Sequence, residues 1–125
     1  MYHPRMIEPS RVFNFLSIQS DSETAESLLW KISPDLPYLE GHFPVKPILP
    51  AVALIDAAIH AVNLKTQKNC SLKGIKSAKF GDIIEPGTTL ELRLSRKNES
   101  EWDVQYFKVP EKTEAIVKLQ VQLRV

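Results

Sequence analysis

This sequence is poor in the features that announce many protein classes. It has one cysteine, four glycines and a formal net charge of only +1. Cys70 has no second cysteine to pair with and nothing near it at metal-ligand spacing. An internal disulfide is therefore excluded, and a reducing, cytoplasmic setting is expected. Basic runs interleaved with aromatics are absent, which removes the electrostatic case for nucleic acid. The most apolar window, residues 47–64, carries Pro50, Asp56, His60 and Asn63, so no membrane span is expected. The opening MYHPRMIEPSR has no long apolar centre, and a secretory leader is not expected either. Internal repeats and low-complexity linkers are missing as well.

What remains is ordinary globular composition: 125 residues, 43% hydrophobic and 25% charged. That suits one domain, residues 1–125, around one core. VFNFLSIQ and ESLLWKIS have the aromatic and branched content of strands, with the polar SDSET between them. PDLPYLEGHFPVKP holds too many prolines for either regular element and predicts an ordered, extended loop. AVALIDAAIHAVNL, residues 51–64, lacks glycine and proline and comes directly after Pro50, a favoured residue at a helix start. It predicts a helix of about four turns. Being apolar nearly all round, it should be buried on most sides. After it come LKGIKSAKF, the strictly alternating TLELRLS, then EWDVQYF and AIVKLQVQLRV, separated by EPGTT, RKNES and VPEKTE. Pro86-Gly87 suits a type II turn. Consecutive strands with short turns favour an antiparallel sheet with one face buried. The expected fold class is α+β: a curved antiparallel sheet wrapped around one long central helix.

Two places carry chemistry. On the helix, Asp56, His60 and Asn63 stand at i, i+4 and i+7, a single stripe. Buried polar groups left unpaired cost about 1–3 kcal/mol each, so the stripe must meet either a polar network or a ligand cavity. A histidine or asparagine in a helix is most often a satisfied structural residue; a buried aspartate without a partner is much rarer. In the loop, His42 lies between Gly41 and Phe43, and Pro44, Pro47 and Pro50 at spacing three stiffen the chain from the histidine to the helix. An imidazole titrating near pH 6.5 can act as a general base. A carboxyl group in an apolar pocket can hold a proton to donate. The free amides at the helix start, near Ala51, can bind a developing oxyanion. His42, Asp56 and His60 also match a two-histidine, one-carboxylate metal set, although nothing in their spacing demands it. A serine or cysteine nucleophile is disfavoured: Cys70 has no base nearby, and no serine lies between residues 34 and 70.

Residues 41–56, GHFPVKPILPAVALID, resemble the signature of the hotdog-fold 3-hydroxyacyl-acyl-carrier-protein dehydratases of the FabA/FabZ type. Their pattern is Gly-His-Phe-Pro, then Pro-Ile-Met/Leu-Pro-Gly, then an acidic residue fourteen positions after the histidine, the separation of His42 and Asp56. An aspartate with a histidine four residues later resembles the ApeI-like branch, dehydratases of aryl polyene pathways. The resemblance implies a hotdog fold, His42 as catalytic base and Asp56 as its acidic partner. It implies that the Ala51 amide holds the thioester carbonyl, with Gly41, Phe43 and His60 on the substrate-binding side. It also implies a homodimer, or an oligomer of such dimers, with each site shared between subunits. Acyl carrier protein would deliver the substrate, and neither metal nor redox cofactor would be required. Ala51 and Val45 stand where the family keeps glycine, which narrows or reshapes the pocket. Two alternatives stay open: a hotdog acyl thioesterase, and a non-catalytic hotdog protein that binds acyl chains or their carrier.

Overall fold

The computed structural model describes residues 13–18, 25–36, 39, 48–111 and 114–124. Along them run strands β1 (Phe15–Ile18) and β2 (Ala25–Lys31), helix α1 (Ala51–Thr66), and strands β3 (Ser71–Phe80), β4 (Thr89–Arg96), β5 (Glu101–Lys108) and β6 (Val117–Arg124). The strands form one six-stranded sheet in the order β1-β2-β4-β5-β6-β3, with every neighbouring pair antiparallel. Much of the proline-rich loop, including Gly41, His42 and Phe43, lies outside the described residues.

Alternation builds the core as expected. Leu90, Leu92 and Leu94 of β4 and Val117, Leu119, Val121 and Leu123 of β6 all point inward, joined by Leu28, Trp30, Val104 and Tyr106. Against them lies one face of α1, made of Ala53, Leu54, Ala57, Ala58, Ala61 and Val62. A face this rich in alanine lets the helix sit close to the sheet. The helix laid against the buried face of a single antiparallel sheet is the hotdog arrangement.

Local chemistry explains the joints. In the turn before β4, the Thr88 amide donates to the Glu85 carbonyl at 3.2 Å, and Gly87 takes φ 90°, which glycine adopts without strain. In the β4–β5 turn, the Asn98 side-chain oxygen accepts from the amides of Ser100 and Glu101, both at 3.0 Å. The Leu49 amide donates to the Ile84 carbonyl at 2.8 Å, which anchors the chain just before α1 begins.

Three expectations need correction. The helix runs to Thr66, two residues past its expected end, and stops where Gln67 turns left-handed with φ 55°. It is not buried on most sides: Val52 is 53% exposed and Leu64 49%, while Ile55 and Ile59 are only partly covered. The sheet covers the alanine face and leaves the apolar stripe Val52, Ile55 and Ile59 open, with Leu64 exposed near the helix end. Finally, Glu91, on the expected polar face of β4, is only 4% exposed. The Arg93 side chain donates to it at 2.6 Å and lies over the ring of Phe107, 4.2 Å from its centroid. Glu91 and Phe107 are direct cross-strand partners, so the arginine covers both.

Among the described residues, β3 is the outermost strand on its side of the sheet and pairs with β6 alone. Leu72, Ile75 and Phe80 on it, and Ile83 beyond it, are large apolar residues between 39% and 54% exposed. Among the described residues no helix is long and apolar enough to cross a bilayer.

Candidate active site

Helix α1 is preceded by Pro50, which has extended backbone (φ −74°, ψ 155°) and no side chain able to cap. The Ala53 amide donates to the Pro50 carbonyl at 3.0 Å. The amides of Ala51 and Val52 precede the first intrahelical bond, both residues are exposed, and the first turn holds no acidic residue. The positive end of the helix dipole is therefore not offset by a carboxylate within that turn. Ala51 is not among the residues with positive φ, so its backbone makes no demand that only glycine meets.

Asp56 lies partly buried, little more than one turn along the helix. Beneath the same stretch stands Tyr106, fully buried in β5, whose phenol donates to the Leu54 carbonyl. Burial pushes the Tyr106 phenol well above its ordinary pKa, and the negative charge of Asp56 adds to that. The carboxylate is thus within electrostatic reach of the phenol.

His60, one turn further, packs against aromatic rings. Its centroid is 5.5 Å from Phe13 and 5.8 Å from Phe15, both in tilted geometry. Trp30 closes the group edge-on, 5.3 Å from Phe13 and 5.9 Å from Phe15. Desolvation there lowers the pKa of His60 below 6.5, favouring the neutral imidazole. Because the folded state binds this proton less readily than the unfolded state, stability is full above pH 6.5 and declines as pH falls through the folded pKa. The unfolding midpoint should drop on acidification from pH 7 to 5, and by less in His60→Gln. An equal drop in both proteins, measured by thermal melts, would remove His60 from the pH response.

Asn63 leaves the functional stripe altogether. Its side-chain amide donates to the Cys70 carbonyl at 2.9 Å and accepts from the Cys70 amide at 2.8 Å. This two-way clamp ties the last turns of α1 to the residue that precedes β3. The expected stripe therefore divides into a carboxyl above a buried phenol, an imidazole among aromatics, and a structural amide. Sequence reasoning missed the aromatic group; its signal is VFNF, which puts Phe13 and Phe15 on one side of an extended segment. His42, with Gly41 and Phe43, lies outside the described residues, as does any metal set that includes it. Among the described residues there is no group of three or more potential metal ligands. A charged basin of about 630 Å³ lies among Lys79, Asp82, Lys108, Glu111, Glu114 and Lys118. Its charges offset one another, with Lys108 bonded to Asp82 at 2.7 Å, and it includes none of the candidate residues.

The ApeI-like family, described as ApeI dehydratase, matches residues 17–120. The chain belongs to that family. The match takes in the segment with His42, all of α1 and most of the sheet. Among curated relatives, the 3-hydroxyacyl-[acyl-carrier-protein] dehydratase FabZ of Shewanella woodyi is 36% identical over 67 residues, 46% of this chain and 44% of the relative. The protein of the same name from Chloroflexus aggregans is 36% identical over 70 residues, half of this chain and 49% of the relative. The chain thus spans about half the length of the curated relatives it matches. Among solved structures, one from the dehydratase heterocomplex ApeI:P of Xenorhabdus doucetiae superposes with a TM-score of 0.74 at 24% identity, over 89% of this chain and 98% of that one. The PaaI protein of E. coli gives 0.66 at 11% identity, over 93% and 86%. These likenesses establish the hotdog fold that the ApeI-like chain shares with them.

Proposed function

We propose that this protein dehydrates a 3-hydroxyacyl thioester to the trans-2-enoyl thioester. His42 takes the proton from C2, the C3–O bond breaks with its electron pair on oxygen, and Asp56 protonates the departing hydroxyl to water; passing the proton on His42 back to Asp56 restores both groups. The Ala51 amide donates to the thioester oxygen as negative charge develops on it. Gly41 leaves room for close approach, while Phe43 and His60 line the acyl side. The observation that carries this reading is Asp56 itself: a partly buried carboxyl in the apolar first half of the helix, just past uncapped amides and fourteen residues after the histidine of a Gly-His-Phe-Pro motif. Membership of a family described as ApeI dehydratase supports it.

The carrier is acyl carrier protein, the reading supported by the names of the FabZ relatives. The reaction takes place in the cytoplasm, where Cys70 stays a free thiol. The active form is a dimer of this chain, with the two catalytic side chains of one site drawn from different copies. The open stripe Val52, Ile55 and Ile59 and the outer edge of β3, unpaired among the described residues, support this, because exposed apolar edges of such length are usually covered.

Purified protein given 3-hydroxyacyl carrier substrates of several chain lengths tests the reaction. Enoyl thioester is the expected product; free acid with thiol would favour the thioesterase, and binding without turnover the acyl-binding protein. Sedimentation should give a dimer, and Ile75→Lys on the β3 edge should shift it to monomer with loss of turnover. A fully active monomer would end the shared-site reading.

A further inference from the structure

We infer that Tyr106 is a positioning residue: its hydrogen bond to the Leu54 carbonyl fixes where α1 lies on the sheet, and so where Asp56 points. The inference rests on the dehydratase reading and deepens it.

Tyr106 sits mid-sheet in β5, between Leu92 of β4 and Val117 of β6, and is fully buried. Its phenol could have been satisfied by water at an edge or replaced by an apolar ring. Instead it crosses from sheet to helix and bonds the Leu54 carbonyl. That carbonyl lies within α1 and is already the acceptor for the Ala58 amide, four residues on. The helix does not need the second bond to be a helix, so the bond serves the relation between helix and sheet.

Four of the six buried residues of α1 are alanines, Ala53, Ala57, Ala58 and Ala61, and besides Leu54 and Val62 that face offers few knobs to resist sliding or rocking. Side-chain hydrogen bonds tie α1 to neighbouring segments at two places: Tyr106 to Leu54 near its start, and the two-way bond of Asn63 with Cys70 near its end. Asp56 lies between them, seven residues before Asn63, which is about 10 Å along the axis at about 1.5 Å per residue. With the Asn63 clamp as pivot, a rocking of about 5° would carry Asp56 through about 1 Å. Misplacement on that scale can cost about 10²-fold in rate. The phenol stays protonated through the working pH range, so the donor is constant.

The test is Tyr106→Phe, which keeps the buried ring and deletes the donor. Turnover should fall about 10-fold with KM changed by less than about twofold, since the loss concerns a group that acts in the transition state. In the Asp56→Asn background the same substitution should cost nothing further, because it acts through that carboxyl. Amide exchange in the first half of α1 should rise in Tyr106→Phe while the Asn63 end stays protected. Wild-type turnover in Tyr106→Phe, or a full 10-fold loss repeated on top of Asp56→Asn, would overturn the proposal alone. Wild-type turnover in Asp56→Asn would overturn the site reading and this proposal with it. Should the phenylalanine variant not fold, Tyr106→p-aminophenylalanine retains a donor at the same place. Turnover within about threefold of wild type is expected there, and a larger loss in that folded variant counts against the bond as the positioning element.

Discussion

Asp56→Asn should lower turnover of a 3-hydroxyacyl thioester by about 10²–10⁴-fold, the range over which a positioned proton donor contributes, while the unfolding midpoint stays close to that of the parent. The substitution is nearly isosteric and keeps hydrogen-bonding capacity, while it removes the carboxyl's ability to exchange a proton. Asp56 is only partly buried and is not among the buried residues of α1 that form the core. The loss should appear in kcat, because the interaction with the leaving hydroxyl strengthens only as the C3–O bond breaks. His42→Ala should lose activity on a similar scale. Combining the two should cost far less than the product of the single losses, since each group is of little use without the other. Steady-state assays of the three variants, with circular dichroism melts alongside, check this. If Asp56→Asn turns over within about threefold of the parent, the carboxyl is not the acid, and the proposed dehydratase mechanism falls.

The parts of the molecule that are legible in the sequence are those governed by short-range pattern. Leu90, Leu92 and Leu94 alternate and all face the core; so do Val117, Leu119, Val121 and Leu123. The alanine run after Pro50 forms α1, and Pro86-Gly87 makes a turn with the glycine at positive φ. The rest depends on contacts between distant positions. Glu91 reads as solvent-facing polarity because its cover, Arg93 lying over Phe107, depends on the register of β4 against β5. Tyr106 reads as one more inward residue of an alternating strand; its bond to Leu54 spans 52 positions. The aromatic setting of His60 draws on positions 13, 15 and 30, which come together only when β1 and β2 pair beside the helix. Asn63 shares the stripe of Asp56 and His60, yet its true partner is the backbone of Cys70 just beyond the helix end. Period alone assigns a residue to a face; it does not say what the face meets.

Trp30→Ala should be the most destabilising single change, at about 3–5 kcal/mol, the range for truncating a large buried aromatic. That is a large part of the about 5–15 kcal/mol that holds a domain folded. Trp30 is fully buried and lies in register between Phe15 of β1 and Leu90 of β4. Its ring meets Phe13 and Phe15 edge-on, at 69° and 79°, a geometry that adds to the gain from burial. The backbone on both sides is held by strand pairing, so the sheet cannot collapse into the space the indole leaves, and the penalty sits toward the upper end. In urea the midpoint should fall with little change in slope, because the same surface is exposed on unfolding. Trp30→Phe, which keeps a ring, should cost less than half as much; equal costs would mean that volume and edge contacts there do not matter. The damage should also reach the site. Phe13 and Phe15 are held from behind by Trp30 and in turn pack against His60, one helical turn from Asp56. Activity per folded molecule should therefore fall in Trp30→Ala even under conditions where the variant remains folded, which separates loss of site geometry from loss of folded protein.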